Sequence, residues 1–206
     1  TLPLEGKPYV LGETSRGCPY TCDFCVAPIH QGHKFRERDA TAIVDEMEQA
    51  KRTLGVTYFY LWGDTVTLNA KSFTRFCDEL IARDLGVKWF GNARADNLVS
   101  LEFVRKLRAS GCWMLSMGIE SESDQVRRDM MKKLEREKIR LAIQNLRAAG
   151  IKSFGFFIFG YPGDTPASIE RTARYAREID PDFANFYPAV PYPGTQMHEK
   201  CLRDGL

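Results

Sequence analysis

The sequence predicts an α/β protein built as a partial, open (β/α)6 barrel of the TIM type. Four times a helical stretch ends, a glycine follows and an apolar strand begins, at Val56, Val87, Cys112 and Ile151. Strands alternating with helices at that spacing imply parallel βαβ units, whose crossovers are right-handed in nearly all cases. Six such units can be counted in 206 residues, and a closed barrel of eight takes ~250. With 44% apolar residues the chain can bury one sizeable core, so residues 1–206 are read as one domain.

The elements follow in order. Tyr9 to Leu11 reads as a short buried strand, leading into a cysteine-bearing loop that runs through Pro28, His30, Gly32 and His33 to Arg36 and Arg38 without helical or strand period. Asp39 is placed to cap a helix over 40–54, with Ile43, Met47, Ala50 and Leu54 on one face and Gly55 as its stop. Val56 to Trp62 is β-branched and aromatic, hence a strand, and residues 63–68 are its exit loop. Asn69 caps a helix whose Phe73, Phe76, Cys77, Leu80 and Ile81 recur at helical spacing, which makes Cys77 a core residue. The third strand covers Val87 to Ala93 with Asn92 and Arg94 at its end; Ser100 caps the next helix, which turns Phe103, Val104 and Leu107 inward and stops at Gly111. The fourth strand, Cys112 to Met117, leaves through Gly118-Ile119-Glu120-Ser121-Glu122-Ser123. One or two helices follow to Ala149, with Ile139, Ala142, Ile143 and Leu146 on one face. The fifth strand, Ile151 to Phe159, runs into Gly160-Tyr161-Pro162-Gly163-Asp164, and Thr165 with Pro166 opens a helix carrying Ile169, Ala173, Ala176 and Ile179. Phe183 to Tyr187 is the sixth strand, 188–194 an irregular exit, and Thr195 the start of a last helix.

The chemistry gathers first on Cys18, Cys22 and Cys25. Thiolates are the usual ligands of iron–sulfur clusters, and three of them leave one iron of a cubane open to bind and activate a small molecule. Zinc competes for such thiolates, yet structural zinc takes four ligands, usually in two spaced pairs. Here no second pair follows, and only His30 and His33 stand near. A disulfide framework belongs to small secreted domains rather than to a chain of this length. A net charge of +2 gives no broad footing for a polyanion, no signal peptide is visible, and the longest nearly apolar run, Phe154 to Gly160, is far too short to span a bilayer. Free thiols point to the cytoplasm. A start at Thr1 without methionine fits a piece of a longer protein.

In barrels of this kind chemistry sits at the carboxyl ends of the strands. There stand the cysteine loop, Gly63-Asp64-Thr65, Arg94, Glu120-Ser121, Gly160 and Gly163. Each has a plainer use: Asp64 as a turn residue, Arg94 as partner of Asp96 or another carboxylate, Glu120-Ser121 as a helix cap, the glycines as bends.

Cys18-x-x-x-Cys22-x-Phe24-Cys25 resembles the signature loop of the radical S-adenosylmethionine (SAM) enzymes, and the resemblance extends over nearly the whole chain. It implies an incomplete barrel, a [4Fe-4S] cluster on the three cysteines, and SAM chelated to the open iron. Reductive cleavage of SAM then yields methionine and a 5′-deoxyadenosyl radical that abstracts hydrogen from substrate. By the same resemblance Gly63-Asp64-Thr65 meets the methionine ammonium, with Asp64 in the acidic role because the common Gly-Gly-Glu form is missing. Glu120 with Ser121 meets the ribose, and Phe24, Ile158, Gly160 and Gly163 lie along adenine. Arg94 and Lys133 belong to the same site, the lysine near a family lysine often followed by glycine where Leu134 stands here. Lys132 and Lys133 read equally as a solvated basic face.

Ser15-Arg16-Gly17-Cys18-Pro19, Arg36-x-Arg38, Asn92-Ala93-Arg94 and 191–195 are similar to the subgroup that often carries an N-terminal cobalamin-binding domain. This implies a cobalamin-dependent methylation, or a carbon-skeleton or ring-forming reaction, on a lipid, pigment or natural product. It also implies an electron donor such as flavodoxin or ferredoxin. The chain itself has no Asp-x-His-x-x-Gly motif, so cobalamin would belong to a domain outside it. The substrate would enter at the same opening, where Tyr161, Tyr187 and Tyr192 stand, although aromatics at strand ends are more often packing. A methylthiotransferase acting on tRNA or protein is the alternative within the family. It would bring a second cluster and a nucleic-acid module; nucleic acid is not expected, because Asp129, Glu135 and Glu137 break up the basic stretch from Arg127 to Arg140. A non-catalytic iron–sulfur or zinc module is the alternative of another class, and it leaves the strand-exit residues without a shared purpose.

Overall fold

A computed structural model describes residues 6–206; residues 1–5 of the expected domain lie outside the described residues. One sheet of six parallel strands runs in sequence order. The strands are β1 (Tyr9–Glu13), β2 (Tyr58–Trp62), β3 (Lys88–Ala93), β4 (Cys112–Glu120), β5 (Lys152–Phe159) and β6 (Phe183–Pro188). After them come α1 (Ala40–Leu54), α2 (Ala70–Arg83), α3 (Leu101–Ala109), α4 (Arg136–Ala149), α5 (Pro166–Ile179) and α6 (Gln196–Asp204). Every connection advances by one strand, so β1 and β6 end the sheet and the barrel is open.

Short polar side chains start the helices at the expected places. Asp39, Asn69, Ser100 and Thr195 each accept the backbone amide three residues on, and Thr165 forms a reciprocal box with Ser168; such a cap contributes about 1 kcal/mol. Gly111, between α3 and β4, has φ +98° and no room for a Cβ, which would lie 2.3 Å from the Val87 carbonyl oxygen.

The core lies between the outer face of the sheet and the helices. Phe59, Leu61, Trp89, Leu115, Met117 and Phe157 meet Val44, Met47, Phe76, Leu107, Ile143 and Leu146 there. Cys77 is part of this core, its thiol pushed up to about 12 by burial. Inside the barrel, Phe90 and Met114 pack with Tyr58, Tyr60, Trp113 and Phe154. These residues lie toward the strand starts, so they close the floor and leave the carboxyl ends as the open mouth.

Several expectations need correction. β1 is not buried: Tyr9 is 45% and Leu11 53% exposed, because an end strand is covered on one edge only. The cysteine loop contains a short helix, Ala27–Gln31, and an antiparallel pairing of Ser15–Arg16 with Arg36–Glu37. Leu54 is 66% exposed, since α1 buries Ala40, Ile43, Val44 and Met47 and its last turn runs past the sheet. Ile81 is likewise exposed. α5 turns Ser168, Thr172, Tyr175, Ala176 and Ile179 inward, leaving Ile169 and Ala173 half-buried. β4 continues through Gly118 to Glu120, and two helices follow it, Asp124–Asp129 and α4. Among the described residues no helix is long and apolar enough to cross a membrane.

Candidate active site

The loop after β1 is held in place by backbone contacts. Cys18 donates to the Gly32 carbonyl at 3.1 Å and Cys25 to that of Cys22 at 3.1 Å. Asp23, between the second and third cysteines, donates its amide to Met130 at 3.1 Å and accepts from the Met197 amide at 3.0 Å. Its buried carboxylate accepts from the Tyr161 hydroxyl.

This arrangement turns the thiols of Cys18, Cys22 and Cys25 into a cavity of about 300 Å³ at the barrel mouth. All three are free and half-buried. Burial pushes each thiol above its usual range, and at Cys22 the Lys132 and Arg94 charges oppose it. A coordinating metal overrides such a shift and takes the thiolate. Among the described residues no three His, Cys, Asp or Glu groups converge on one metal ion; thiolates spread over several irons do not call for that convergence, whereas a single zinc does.

The exit of β2 packs against the start of the cysteine loop. Gly63, Asp64 and Thr65 line the same cavity. A Cβ on Gly63 would come within 2.7 Å of Ser15 Oγ, so this backbone approaches the cysteine loop only as glycine. Asp64 Oδ2 is buried with no hydrogen-bond partner. Burial pushes the Asp64 carboxyl up, opposed by the Gly17 amide. Thr65 is buried and donates its hydroxyl to the Asp64 carbonyl at 2.8 Å.

Arg94 makes the expected pair with Asp96, through Nε at 3.1 Å and Nη2 at 2.9 Å, and also lines the cavity, its guanidinium 3.7 Å over the Tyr20 ring. Glu120 stands in a left-handed backbone at φ +69° and accepts from Lys132 Nζ at 2.6 Å. A Cβ on Gly118 would collide with both ends of that pair.

Lys133, expected at the site, is exposed and absent from the cavity wall; Lys132 is the lysine there. Met131 and Lys133 both adopt positive φ, +54° and +47°, and the turn they make sends Met130, Lys132 and Leu134 inward. The residue types give no notice of that turn, so it is the backbone that distinguishes Lys132. Ser121 is buried but faces away from the mouth, 3.4 Å from Thr172 Oγ1. It does not cap the next helix; Ser123 does. Gly160 and Gly163 line neither cavity; with φ +74° and +99° they shape the bend before α5. Asn92, placed at the end of β3 by the sequence, lines the wall as well, and so do Tyr20, Trp62 and Ser116, which nothing in their spacing singled out.

A second cleft of about 500 Å³ shares Phe24, Gly118, Glu120 and Phe156 with the first and continues along Ile158, Tyr187, Val190, Tyr192 and Met197. Its wall is apolar and aromatic. Tyr161 is absent from it, being packed in the interior.

A family model described as the radical SAM superfamily matches residues 13–176. The chain is similar to an anaerobic magnesium-protoporphyrin IX monomethyl ester cyclase of Rubrivivax gelatinosus, 35% identical over 97% of this chain and 36% of that protein. It is also similar to an uncharacterized methyltransferase of Pyrococcus horikoshii, 28% identical over 98% of this chain and 44% of that protein. Among solved structures, the radical SAM methyltransferase TsrM of Kitasatospora setae, with cobalamin and a [4Fe-4S] cluster bound, matches with a TM-score of 0.88 and 19% identity, over 96% of this chain and 40% of that one. The chain thus spans less than half the length of these relatives.

Proposed function

Because the chain belongs to the radical SAM superfamily, we propose that it is the catalytic core of an enzyme that methylates a small molecule or closes a ring on it. In this reading Cys18, Cys22 and Cys25 hold a [4Fe-4S] cluster and the adjoining cavities hold SAM and part of the substrate. The observation that carries it is Asp64, which lines one cavity together with the three thiols and whose Oδ2 is buried without a hydrogen-bond partner. A buried acceptor without a donor in the protein calls for a donor on a ligand, and the SAM ammonium is one. When bound, the cluster and SAM supply a carbon-centred radical through one-electron cleavage of the sulfonium.

The protein's own residues then do the binding and the shielding. Asp64 accepts from the ammonium and fixes the methionine end. Lys132 and Arg94 provide positive charge on the facing wall for the carboxylate. Glu120, already holding Lys132, turns its second oxygen to the ribose. Phe24 and Ile158 give adenine apolar faces, and Phe156 keeps water from the space between the cavities, where a reactive radical needs a dry wall. The apolar cleft beyond, with Tyr187 and Tyr192, suits a largely hydrophobic substrate such as a pigment or natural product. The likeness to TsrM, whose structure holds cobalamin, supports cobalamin as a further cofactor held outside this chain, and the free thiols favour the cytoplasm, where thiols stay reduced.

The test is anaerobic: rebuild the protein with iron and sulfide, add SAM and a strong reductant, and measure 5′-deoxyadenosine. Formation should vanish in Cys22→Ala. Asp64→Ala should keep its iron and bind SAM about ten- to a hundred-fold more weakly, the worth of one charged hydrogen bond. Product from Cys22→Ala, or loss of iron in Asp64→Ala, would contradict this division of roles.

A further inference from the structure

The segment from Phe24 to Arg36 contains no acidic residue and carries His30, His33, Lys34 and Arg36, all four exposed. Ile29 lies among them, 49% exposed. The segment wraps the outer side of the cysteine loop. The helix Ala27–Gln31 begins just after Cys25, and Gly32 accepts the Cys18 amide. Gly17 packs so tightly there that a Cβ would lie 2.2 Å from the Lys34 carbonyl oxygen. A single layer of backbone therefore separates the ligand loop from this basic face.

The charge on the face is free to act outward. Arg16 is paired with Glu13 and Arg38 with Glu46, whereas none of His30, His33, Lys34 and Arg36 has an ion-pair partner among the described residues. Arg36 instead donates to the carbonyls of Lys34 at 3.0 Å and Gln31 at 2.8 Å, which fixes the backbone of the face. An exposed apolar residue beside two cations without ion-pair partners among the described residues, Lys34 and Arg36, and two imidazoles is the anatomy of a small, transient protein interface.

We propose that this face docks an acidic one-electron carrier protein of the flavodoxin or ferredoxin type. The proposal rests on the radical SAM reading, because that chemistry consumes one electron at the site held by Cys18, Cys22 and Cys25. One electron leaves the carrier's flavin or iron–sulfur centre, which is oxidised, and enters that site, which is reduced; no bond forms or breaks at the interface. Electron transfer slows steeply with distance, and this is the side on which one backbone layer intervenes. A nucleic acid is the competing partner for a basic face, but tracking phosphates takes about six to ten contacts, and four basic groups of which two are histidines are too few.

The variant to make is His33→Glu with Lys34→Glu; neither side chain lines either cavity. A matched change on α4, Lys138→Glu with Arg140→Glu, is the control. Calorimetric titration with a purified acidic flavodoxin at low ionic strength should show binding to the parent protein and the control. In the variant the Kd should rise about ten-fold or more and lose most of its salt dependence, as expected where charge steers association. Stopped-flow reduction of the rebuilt protein by reduced flavodoxin should slow by a similar factor, while photoreduced deazaflavin, a small reductant, reduces parent and variant alike. Equal flavodoxin binding and reduction in parent and variant would overturn the proposal. So would retention of a tRNA stem-loop at physiological salt that the variant abolishes, which would assign the face to nucleic acid. If deazaflavin reduces nothing in the parent, the radical SAM reading is what has failed, and the titration still decides the docking face.

Discussion

Asp64 is an expensive residue in the empty protein. An unpaired buried acceptor costs about 1–3 kcal/mol, and Asp64 Oδ2 is one. Asp64→Asn removes the charge while keeping the shape, so it should stabilise the protein without ligand by about 1 kcal/mol, seen as a higher Tm at neutral pH, while SAM affinity falls. The pH dependence has a definite sign. Burial raises the Asp64 carboxyl, so the penalty is in full force above the raised value and disappears below the unfolded value near 3.9. The Tm gap between the two proteins should therefore close as pH falls through that window; a gap that stays constant would show that the charge is not its cause. Lys132 shows why such residues are unevenly legible. The cysteines declare themselves by type and spacing, and Asp64 by its place at a strand exit. Which of two adjacent lysines enters the site depends on the left-handed backbones of Met131 and Lys133, residue types that give no notice of that conformation.

At the scale of the elements, the strand and helix order was legible because helix-stopping glycines and capping side chains fall at regular intervals. The helix faces were less so. Leu54 and Ile81 fit their periods yet stand in solvent, because periodicity identifies a stripe without saying where the sheet beneath it ends. α5 buries Ser168 and Thr172, which hydrophobicity alone would place outside. β6 was recognisable by its aromatic residues, though all of it is exposed; it pairs with β5 along its whole length, and its start carries a further attachment. Asp182 makes that attachment, accepting from Lys152 Nζ at 2.6 Å and from Ser153 N at 2.9 Å and Oγ at 3.1 Å. Burial would raise its carboxyl, but Lys152 and the two Ser153 donors outweigh it and hold it below the usual range. Its stabilisation is thus complete above about pH 4 and is lost as pH falls through the lowered value. Asp182→Ala should cost about 1–2 kcal/mol, mostly through the Ser153 bonds because the half-exposed lysine contact is screened. Thermal unfolding should show a Tm lower by a few degrees at pH 7 and little difference near pH 2; an equal loss at both would exclude the ionised carboxylate as its source.

At the scale of the whole molecule, an open barrel leaves its two end strands without a common ladder, and the cysteine loop joins the far sides of the mouth. Asp23 follows β1, yet it reaches Tyr161 after β5 by its side chain, Met130 after β4 by its amide and Met197 in α6 by its carbonyl. The cluster ligands are thereby tied to the last units of the chain. Tyr161 also donates toward the Asp129 carbonyl, at 2.9 Å, and its ring is almost fully buried. Tyr161→Phe keeps that packing and removes the hydroxyl, leaving Asp23 with both carboxylate oxygens unpartnered, since Oδ1 has no partner already. The loss should be about 1–3 kcal/mol. It should also be local, because the tie lies at the mouth and the main core lies under the helices. Amide hydrogen exchange should then speed up about ten-fold or more at Asp23 and Met197, as opening of one substructure does, while α1 and α4 keep their protection. Uniform acceleration across all helices would mean that Tyr161 only supports the core; unchanged exchange at Met197 would mean that the mouth closes without this tie.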